Sequence, residues 1–156
     1  MIKNKDLQEF GFIVLDFPLE EIVLKLLIKK SWKELDQYFL NISKPNGLLR
    51  NFLNQYLDFA TLEHIIAIRS APDDEDGIWH DDGSRFLGFS LSLNRNHENI
   101  IGGELHFKKK ESTHTEIFTP LPYGKIVLFL SGIHGYEHMV SAVTSQERIV
   151  IAGWCS

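Results

Sequence analysis

The chain has 156 residues, 44% of them apolar, and contains eleven phenylalanines and three tryptophans. This length and composition suit one domain with a real hydrophobic core and exclude a disordered chain. The formal net charge of −5 disfavours a nucleic-acid partner, because no excess of basic residues is available to displace counterions from phosphates. The one basic run, residues 108–110, is interpreted as a solvated strand end.

The first predicted element is a short buried strand over residues 10–15, where large apolar residues alternate. Pro18 then precedes two glutamates and apolar residues at three-and-four spacing, which predicts a helix running to about residue 40. The turn signal at residues 45–47 separates it from a second predicted helix, whose apolar side covers residues 52–57.

From residue 62 onward the pattern changes to short β-branched or alternating segments separated by Gly, Pro, Asn or Ser. Strands are predicted at 85–94, 103–109, 115–119, 125–130, 138–143 and 147–154. Short strands at such spacing, without helices between them, indicate a sandwich or barrel. The expected fold class is α+β, mainly β. We expect one domain, 1–156, in which two N-terminal helices (16–60) buttress an antiparallel jelly roll (62–155).

The single cysteine, Cys155, excludes an intramolecular disulfide, and its place in an apolar run predicts a structural thiol. The polar residues 1–8 lack the apolar segment of a signal peptide. No stretch has the roughly 18 apolar residues that a membrane span needs. We therefore expect a cytoplasmic protein without a membrane segment; its oligomeric state is not readable from the sequence.

The segment Trp79–Gly83 contains the motif His-x-Asp. Residues two apart in an extended chain share a face, so His80 and Asp82 can address one metal ion. His138, where a glycine-rich loop enters a new strand, is the best candidate for a third ligand. Two imidazoles and one carboxylate on one face of an ion leave three positions open, as in non-haem Fe(II) oxygenases. A structural polar turn is the alternative interpretation of the motif.

Arg148 interrupts an otherwise apolar strand. A buried guanidinium is costly unless an anion meets it, and its planar geometry matches a carboxylate at two points. By strand alternation Val150 and Ala152 share its face, and their small side chains leave room beside it. The alternative is a structural ion pair with Glu137 or Glu147.

Several residues between about 65 and 155 stand in a characteristic order and spacing. They are His80, Asp82, Arg85, Asn94, Gly102, Gly103, Pro120, Gly124, His138, Arg148 and Trp154. In this arrangement the sequence resembles the iron(II)- and 2-oxoglutarate-dependent dioxygenase superfamily, in its prolyl-hydroxylase-like branch. The resemblance implies that the jelly roll is a double-stranded β-helix.

The resemblance also implies roles for individual residues. His80, Asp82 and His138 are expected to hold Fe(II), and Arg148 to bind the distal carboxylate of 2-oxoglutarate. In such enzymes O2 and the bound oxo acid yield succinate and CO2 while a substrate C–H bond is oxidised. Ascorbate is a further assisting cofactor that the resemblance suggests. The presence of Asp82 favours hydroxylation, because the related halogenases carry a small residue there.

Two positions depart from the family pattern. Relatives often carry a tyrosine two residues before the position of Asn94, where it helps to hold the distal carboxylate. This chain has Ser92, which is expected to contribute to co-substrate binding with a shorter reach. The Arg-x-Ser pairing of some relatives is also missing, because the residue two positions after Arg148 is Val150.

The predicted activity is hydroxylation of a peptidyl substrate, prolyl ones included, or of a small molecule. A cupin-like jelly-roll metal-binding module, an isomerase or ligand sensor without oxygenase turnover, is the alternative. Other roles stay open at this level. Arg69 is a substrate contact or a plain surface residue, and the acidic loop 73–76 is either solvated or a lid. Trp79 belongs to the core or forms a substrate platform. His106 faces the site or points away from it.

Overall fold

The computed structural model describes all 156 residues. Its helices are α1 (Lys5–Phe10), α2 (Glu21–Ile28), α3 (Trp32–Ile42) and α4 (Leu48–Leu53). Its strands are β1 (Phe12–Asp16), β2 (Leu62–Ser70), β3 (Leu87–Ser92), β4 (Ile101–Gly102), β5 (Leu105–Lys109), β6 (Glu116–Phe118), β7 (Lys125–Leu130), β8 (Tyr136–Val140), β9 (Val143–Ser145) and β10 (Glu147–Cys155). None of the helices is both long and apolar enough to cross a bilayer.

The strands form a five-stranded main sheet and two smaller sheets, all antiparallel. The main sheet has the order β1-β7-β3-β10-β2, the second sheet has the order β6-β5-β8, and β4 pairs with β9. From β6 onward the chain passes from one sheet to another at every connection, and β10 pairs with β2 and β3 across a long sequence separation, as in a jelly roll. The expected double-stranded β-helix is confirmed.

Two apolar cores hold these layers together. The larger core lies between the helices and the main sheet, where Leu35 and Phe39 of α3 are packed with Leu87, Phe89 and Leu91 of β3. The smaller core lies between the main sheet and the second sheet and contains Leu105, Phe107, Val127 and Phe129. The N-terminal helices therefore buttress the outer face of the main sheet, and its inner face is left for the site.

The N-terminal region contains more and shorter helices than expected. The predicted helix from residue 18 to 40 is interrupted at Lys30, whose φ of 53° ends one helix before α3 begins. The turn allows both α2 and α3 to bury an apolar face. The predicted strand at 10–15 begins only at Phe12, because Phe10 closes α1 and Gly11 caps that helix with a φ of 82°. Strand β1 is an edge strand and only partly buried.

Candidate metal centre

The His-x-Asp segment lies directly beside β8. The backbone N–H of His80 donates to the carbonyl of His138 over 3.0 Å, and the N–H of His138 donates to the carbonyl of His80 over 2.9 Å. The side chains of His80, Asp82 and His138 each offer one ligand atom, and these atoms lie within 4.8 Å of one another. The structure thus brings together the three residues that the motif predicted. Asp81 points away and pairs with Lys110.

The imidazoles of His80 and His138 can each offer a nitrogen lone pair to a metal ion. The Nδ1 atom of His80 lies 2.8 Å from the carbonyl oxygen of Ile78, which can only accept, so Nδ1 carries the proton and Nε2 is free to bind. Burial lowers the pKa of His138 to about 3, and the neighbouring His80 acts in the same direction. The Nδ1 atom of His138 is buried without a hydrogen-bond partner. Two imidazoles with one carboxylate fit a divalent iron ion.

Asp82 has an unusual backbone conformation, and its carboxylate accepts a hydrogen bond from a tryptophan. Its φ of 62° lies in the left-handed region, and its carboxylate is 5% exposed. The indole Nε1–H of Trp154 donates to its Oδ2 atom over 2.8 Å. Burial raises the pKa of Asp82 in the metal-free chain. Trp154 belongs to the family pattern, but nothing in the sequence indicates which metal ligand it contacts.

A second contact holds Trp154 in place. The guanidinium of Arg85 lies over its ring, 5.0 Å from the centroid, and donates to Glu63 from Nε and Nη2 over 3.2 and 2.9 Å. Glu63 and Trp154 are cross-strand neighbours on β2 and β10. An ion pair, a cation–π contact and a hydrogen bond therefore lead from the surface to the carboxylate of Asp82.

A mainly apolar cavity of about 180 Å³ extends from His138 to Arg148. Arg148 is 6% exposed, and no carboxylate lies within salt-bridge distance of it. The predicted alternative partners are engaged elsewhere, since Glu137 pairs with Lys108 and Glu147 accepts from Ser70. Burial lowers the pKa of Arg148 to about 10, so the guanidinium remains charged at neutral pH. A buried cation without a protein counterion beside a cavity is suited to receive an anion.

Gly103 makes room for this arginine. A Cβ atom at position 103 would lie 2.8 Å from Cδ of Arg148, and the φ of Gly103 is +66°. The glycine pair at 102–103 therefore serves both the tight strand connection and the space around the guanidinium.

The two serines near Arg148 have different surroundings. The hydroxyl of Ser92 donates to the carbonyl of Leu121 over 2.6 Å and accepts from the backbone and side-chain amides of Asn94. The hydroxyl of Ser90 accepts a long hydrogen bond of 3.5 Å from Nη2 of Arg148. A role of Ser92 in co-substrate binding stays a prediction; Ser90 lines the cavity that contains His138, whereas Ser92 does not.

Arg69 and the acidic loop are bound to each other. The Nε atom of Arg69 lies 2.9 Å from Asp74, and Nη1 donates to the carbonyl of Val140 over 3.0 Å. Asp74 also accepts from the backbone of Val143 over 2.7 Å. Burial would raise the pKa of Asp74, but this backbone N–H and Arg69 outweigh it and hold the pKa below its usual range. The loop is anchored to the turn after β8, and Arg69 lines the wall of the cavity.

Trp79 lies on the outer side of the second sheet, β6-β5-β8. Its ring is covered by the ammonium group of Lys108, 4.6 Å from the centroid, and the edge of His106 lies 6.4 Å away. Because side chains alternate along an extended segment, Trp79 lies outside while His80 is directed toward Asp82 and His138. Neither Trp79 nor His106 lines the cavity.

The amino-acid sequence from residue 66 to 156 matches the model of the 2OG-Fe(II) oxygenase superfamily. This match covers more than half of the chain. The protein belongs to that superfamily. Its cofactors are accordingly Fe(II), 2-oxoglutarate and O2, and nothing supports the cupin-like alternative. No curated protein is similar enough in sequence to be matched.

Solved structures of prolyl hydroxylases have the same fold as this protein. A prolyl-4-hydroxylase of Pseudomonas putida is 22% identical with a TM-score of 0.68, covering 96% of this chain and 87% of its own. A Trichoplax adhaerens prolyl hydroxylase in complex with a hypoxia-inducible-factor peptide fragment is 15% identical with a TM-score of 0.65, covering 96% and 85%. The collagen prolyl hydroxylase of Paramecium Bursaria Chlorella virus-1 in a 2-oxoglutarate complex is 18% identical with a TM-score of 0.60, covering 92% and 94%.

Proposed function

We propose that this oxygenase hydroxylates a C–H bond of a peptidyl substrate, with release of succinate and CO2. His80, Asp82 and His138 hold the Fe(II) ion, and Arg148 binds the distal carboxylate of 2-oxoglutarate. The observation that carries the proposal is the buried, unpaired Arg148 in the same cavity as His138. A metal site alone would serve many functions, whereas an anion site beside it fits a dicarboxylic co-substrate.

The chain's own residues orient the reactants and exclude water. His80 and His138 present imidazole nitrogens from two adjacent segments, and Trp154 fixes the carboxylate of Asp82. Arg148 orients the co-substrate by its far end, so that the oxo-acid end is directed along the apolar cavity toward the three ligands. Bound iron supplies the activation of O2 for oxidation of the substrate.

A peptidyl substrate, prolyl peptides included, is proposed because the similar structures are named as prolyl hydroxylases and one is described with a peptide fragment. The acidic net charge keeps nucleic acid out of the proposal. The cytoplasmic location fits the single buried cysteine and stays a prediction.

The experiment is an anaerobic titration of the metal-free protein with Fe(II) and then with 2-oxoglutarate, monitored for the visible charge-transfer band of a chelated 2-oxo acid. A band shows that iron and co-substrate share one site, and succinate release then serves to search for substrates. Iron binding without a band contradicts the co-substrate assignment, and the absence of both contradicts the proposal as a whole.

Two variants assign the roles of the residues. Asp82→Ala is expected to abolish tight iron binding, because only two imidazoles remain. Arg148→Ala is expected to retain iron and to weaken 2-oxoglutarate binding. Unchanged co-substrate affinity in Arg148→Ala would show that another group binds the distal carboxylate.

A further inference from the structure

Strand β2 has one unpaired edge. It pairs with β10 alone and is the last strand of the main sheet. Thr61 and Ser156 exchange both backbone hydrogen bonds, and the N–H of Ala71 donates to Gln146. Because bonded and non-bonded pairs alternate in an antiparallel ladder, the odd-numbered residues of β2 bond to β10. The N–H and C=O groups of the even-numbered residues 64, 66 and 68 therefore point away from the sheet.

This edge lacks the usual protection against pairing. Edge strands commonly carry a lysine, a proline or a bulge that prevents another strand from docking. The segment from Ile65 to Ile68 has none of these, and its register with β10 runs without interruption from residue 62 to 70. Ile65 and Ile68 are both exposed. The flanking charges of Glu63 and Arg69 are already engaged with other side chains.

The unpaired edge of β2 lies beside the cavity that extends from His138 to Arg148. Ala67 and Arg69 of β2 line the same cavity as His138. Ile65 is the cross-strand neighbour of Ala152, which is also a cavity residue. The anchored acidic loop contacts β2 through Asp74 and Glu75, which accept from Arg69 near the end of the strand. The middle of the edge is left uncovered and is continuous with the proposed active site.

We propose that the substrate is an extended polypeptide segment that docks on β2 as an additional strand, through backbone hydrogen bonds to residues 64, 66 and 68. This inference rests on the proposed function and specifies how its substrate is held. A strand added here would lie about 4.8 Å beyond β2, and every second side chain would face the cavity. Backbone pairing holds the segment, and the apolar surface around Ile65 selects the side chain next to the reacting one.

Amide exchange tests the pairing residue by residue. The protein is loaded with Zn(II), which is diamagnetic and does not support turnover, and with 2-oxoglutarate. The probe is the peptide that this protein retains most strongly from a library of acetylated, amidated dodecapeptides with a central proline. On binding, the amides of residues 64, 66 and 68 are expected to exchange at least tenfold more slowly. The outward amides of residues 12, 14 and 16 on β1 should not change.

Other outcomes overturn the proposal. A retained peptide that leaves the β2 amides unprotected binds elsewhere. If no peptide is retained although the charge-transfer band forms, the polypeptide docking is wrong while the oxygenase function stands. If the band itself does not form, the proposed function fails first. The two failures are thus distinguishable.

A matched pair of proline variants tests the free N–H groups. Ile68→Pro removes an outward N–H from β2, and Val14→Pro removes one from β1. On β1 the odd-numbered residues bond to β7, because the backbones of Gly11 and Phe17 are hydrogen-bonded to Leu130 and Gly124. The two side chains are 40% and 41% exposed, so the packing losses are comparable. Ile68→Pro is expected to weaken peptide binding roughly tenfold, since one hydrogen bond is lost and the ring blocks the added strand.

Val14→Pro should leave peptide affinity unchanged. Ile68→Ala, which keeps the N–H, separates the effect of the side chain from that of the backbone. Equal peptide affinity in Ile68→Pro and Val14→Pro would refute the docking mode. All three variants should form the charge-transfer band, which shows that they are folded around the site.

A second copy of the chain could use the same edge. Sedimentation of the free protein is expected to show a monomer with fast-exchanging amides at residues 64, 66 and 68. A dimer in which these amides are already protected would assign the edge to self-association and overturn the substrate assignment.

Discussion

Trp154→Phe tests whether the indole of Trp154 positions the metal ligand Asp82. Phenylalanine keeps a ring beneath the guanidinium of Arg85 but removes the Nε1–H that donates to Asp82 over 2.8 Å. The carboxylate then loses its fixed orientation in a pocket where it is almost fully buried. We expect weaker metal binding with the protein still folded.

The magnitude follows from the type of bond that is lost. A hydrogen bond to a charged group contributes about 1.5–3 kcal/mol, and part of it is lost from the metal-free protein as well. Groups that orient a metal ligand typically change metal affinity by roughly 10-fold to 100-fold. We therefore expect a loss of about tenfold or somewhat more in Trp154→Phe, well below the loss in Asp82→Ala.

The assay is anaerobic calorimetric titration with Mn(II) and Fe(II), and Trp79→Phe is the matched control. The Nε1 atom of Trp79 makes no hydrogen bond, and a phenyl ring can still lie beneath Lys108. The control should bind metal within about twofold of the wild type. Wild-type metal affinity in Trp154→Phe, or an equal loss in both variants, would refute the positioning role.

Three further predictions concern the surroundings of the co-substrate. Gly103→Ala should displace Arg148, because the new Cβ would lie 2.8 Å from Cδ of Arg148. A titration of the charge-transfer band should show weaker 2-oxoglutarate binding with unchanged iron affinity. Unchanged 2-oxoglutarate binding would contradict this. Ser92→Ala should lower the free energy of unfolding in urea by about 1–3 kcal/mol, because the amide of Asn94 loses its acceptor; a loss no larger than that in Ser90→Ala would contradict this. Asp74→Asn should be less stable than the wild type at neutral pH. The folded state holds the pKa of Asp74 below its usual value, so this contribution is present above about pH 4 and is lost as the pH falls; a stability difference that is the same at pH 6 and pH 3 would contradict the assignment.

The sequence predicted the strands of the jelly roll well, because alternation of apolar residues reports directly which face of a strand is buried. In β3 the residues Leu87, Phe89 and Leu91 alternate with small or polar ones, and the structure buries them in the main core. The N-terminal helices were predicted less well. Apolar spacing runs through Lys30, but only packing against the sheet shows that the chain must turn there.

For the site, too, some features could be predicted from the sequence and others could not. The motif and its spacing determined the candidate ligands and the buried arginine, since residue type and strand parity are local properties. Which groups meet them was decided by the tertiary structure. The partner of Asp82 comes from a strand 72 residues away, and the hydroxyl of Ser92 is already engaged with Leu121.

The amino-acid sequence by itself determined the strand-rich fold, the three candidate ligands and the family, because each depends on which residues occur and how far apart they stand. Only the tertiary structure decided that Trp154 holds Asp82, that Arg148 has no counterion, and that β2 keeps a free edge beside the cavity. The physical reason is that hydrogen-bond partners, burial and unpaired edges are set by strands that are distant in the chain and neighbours only in the folded sheet.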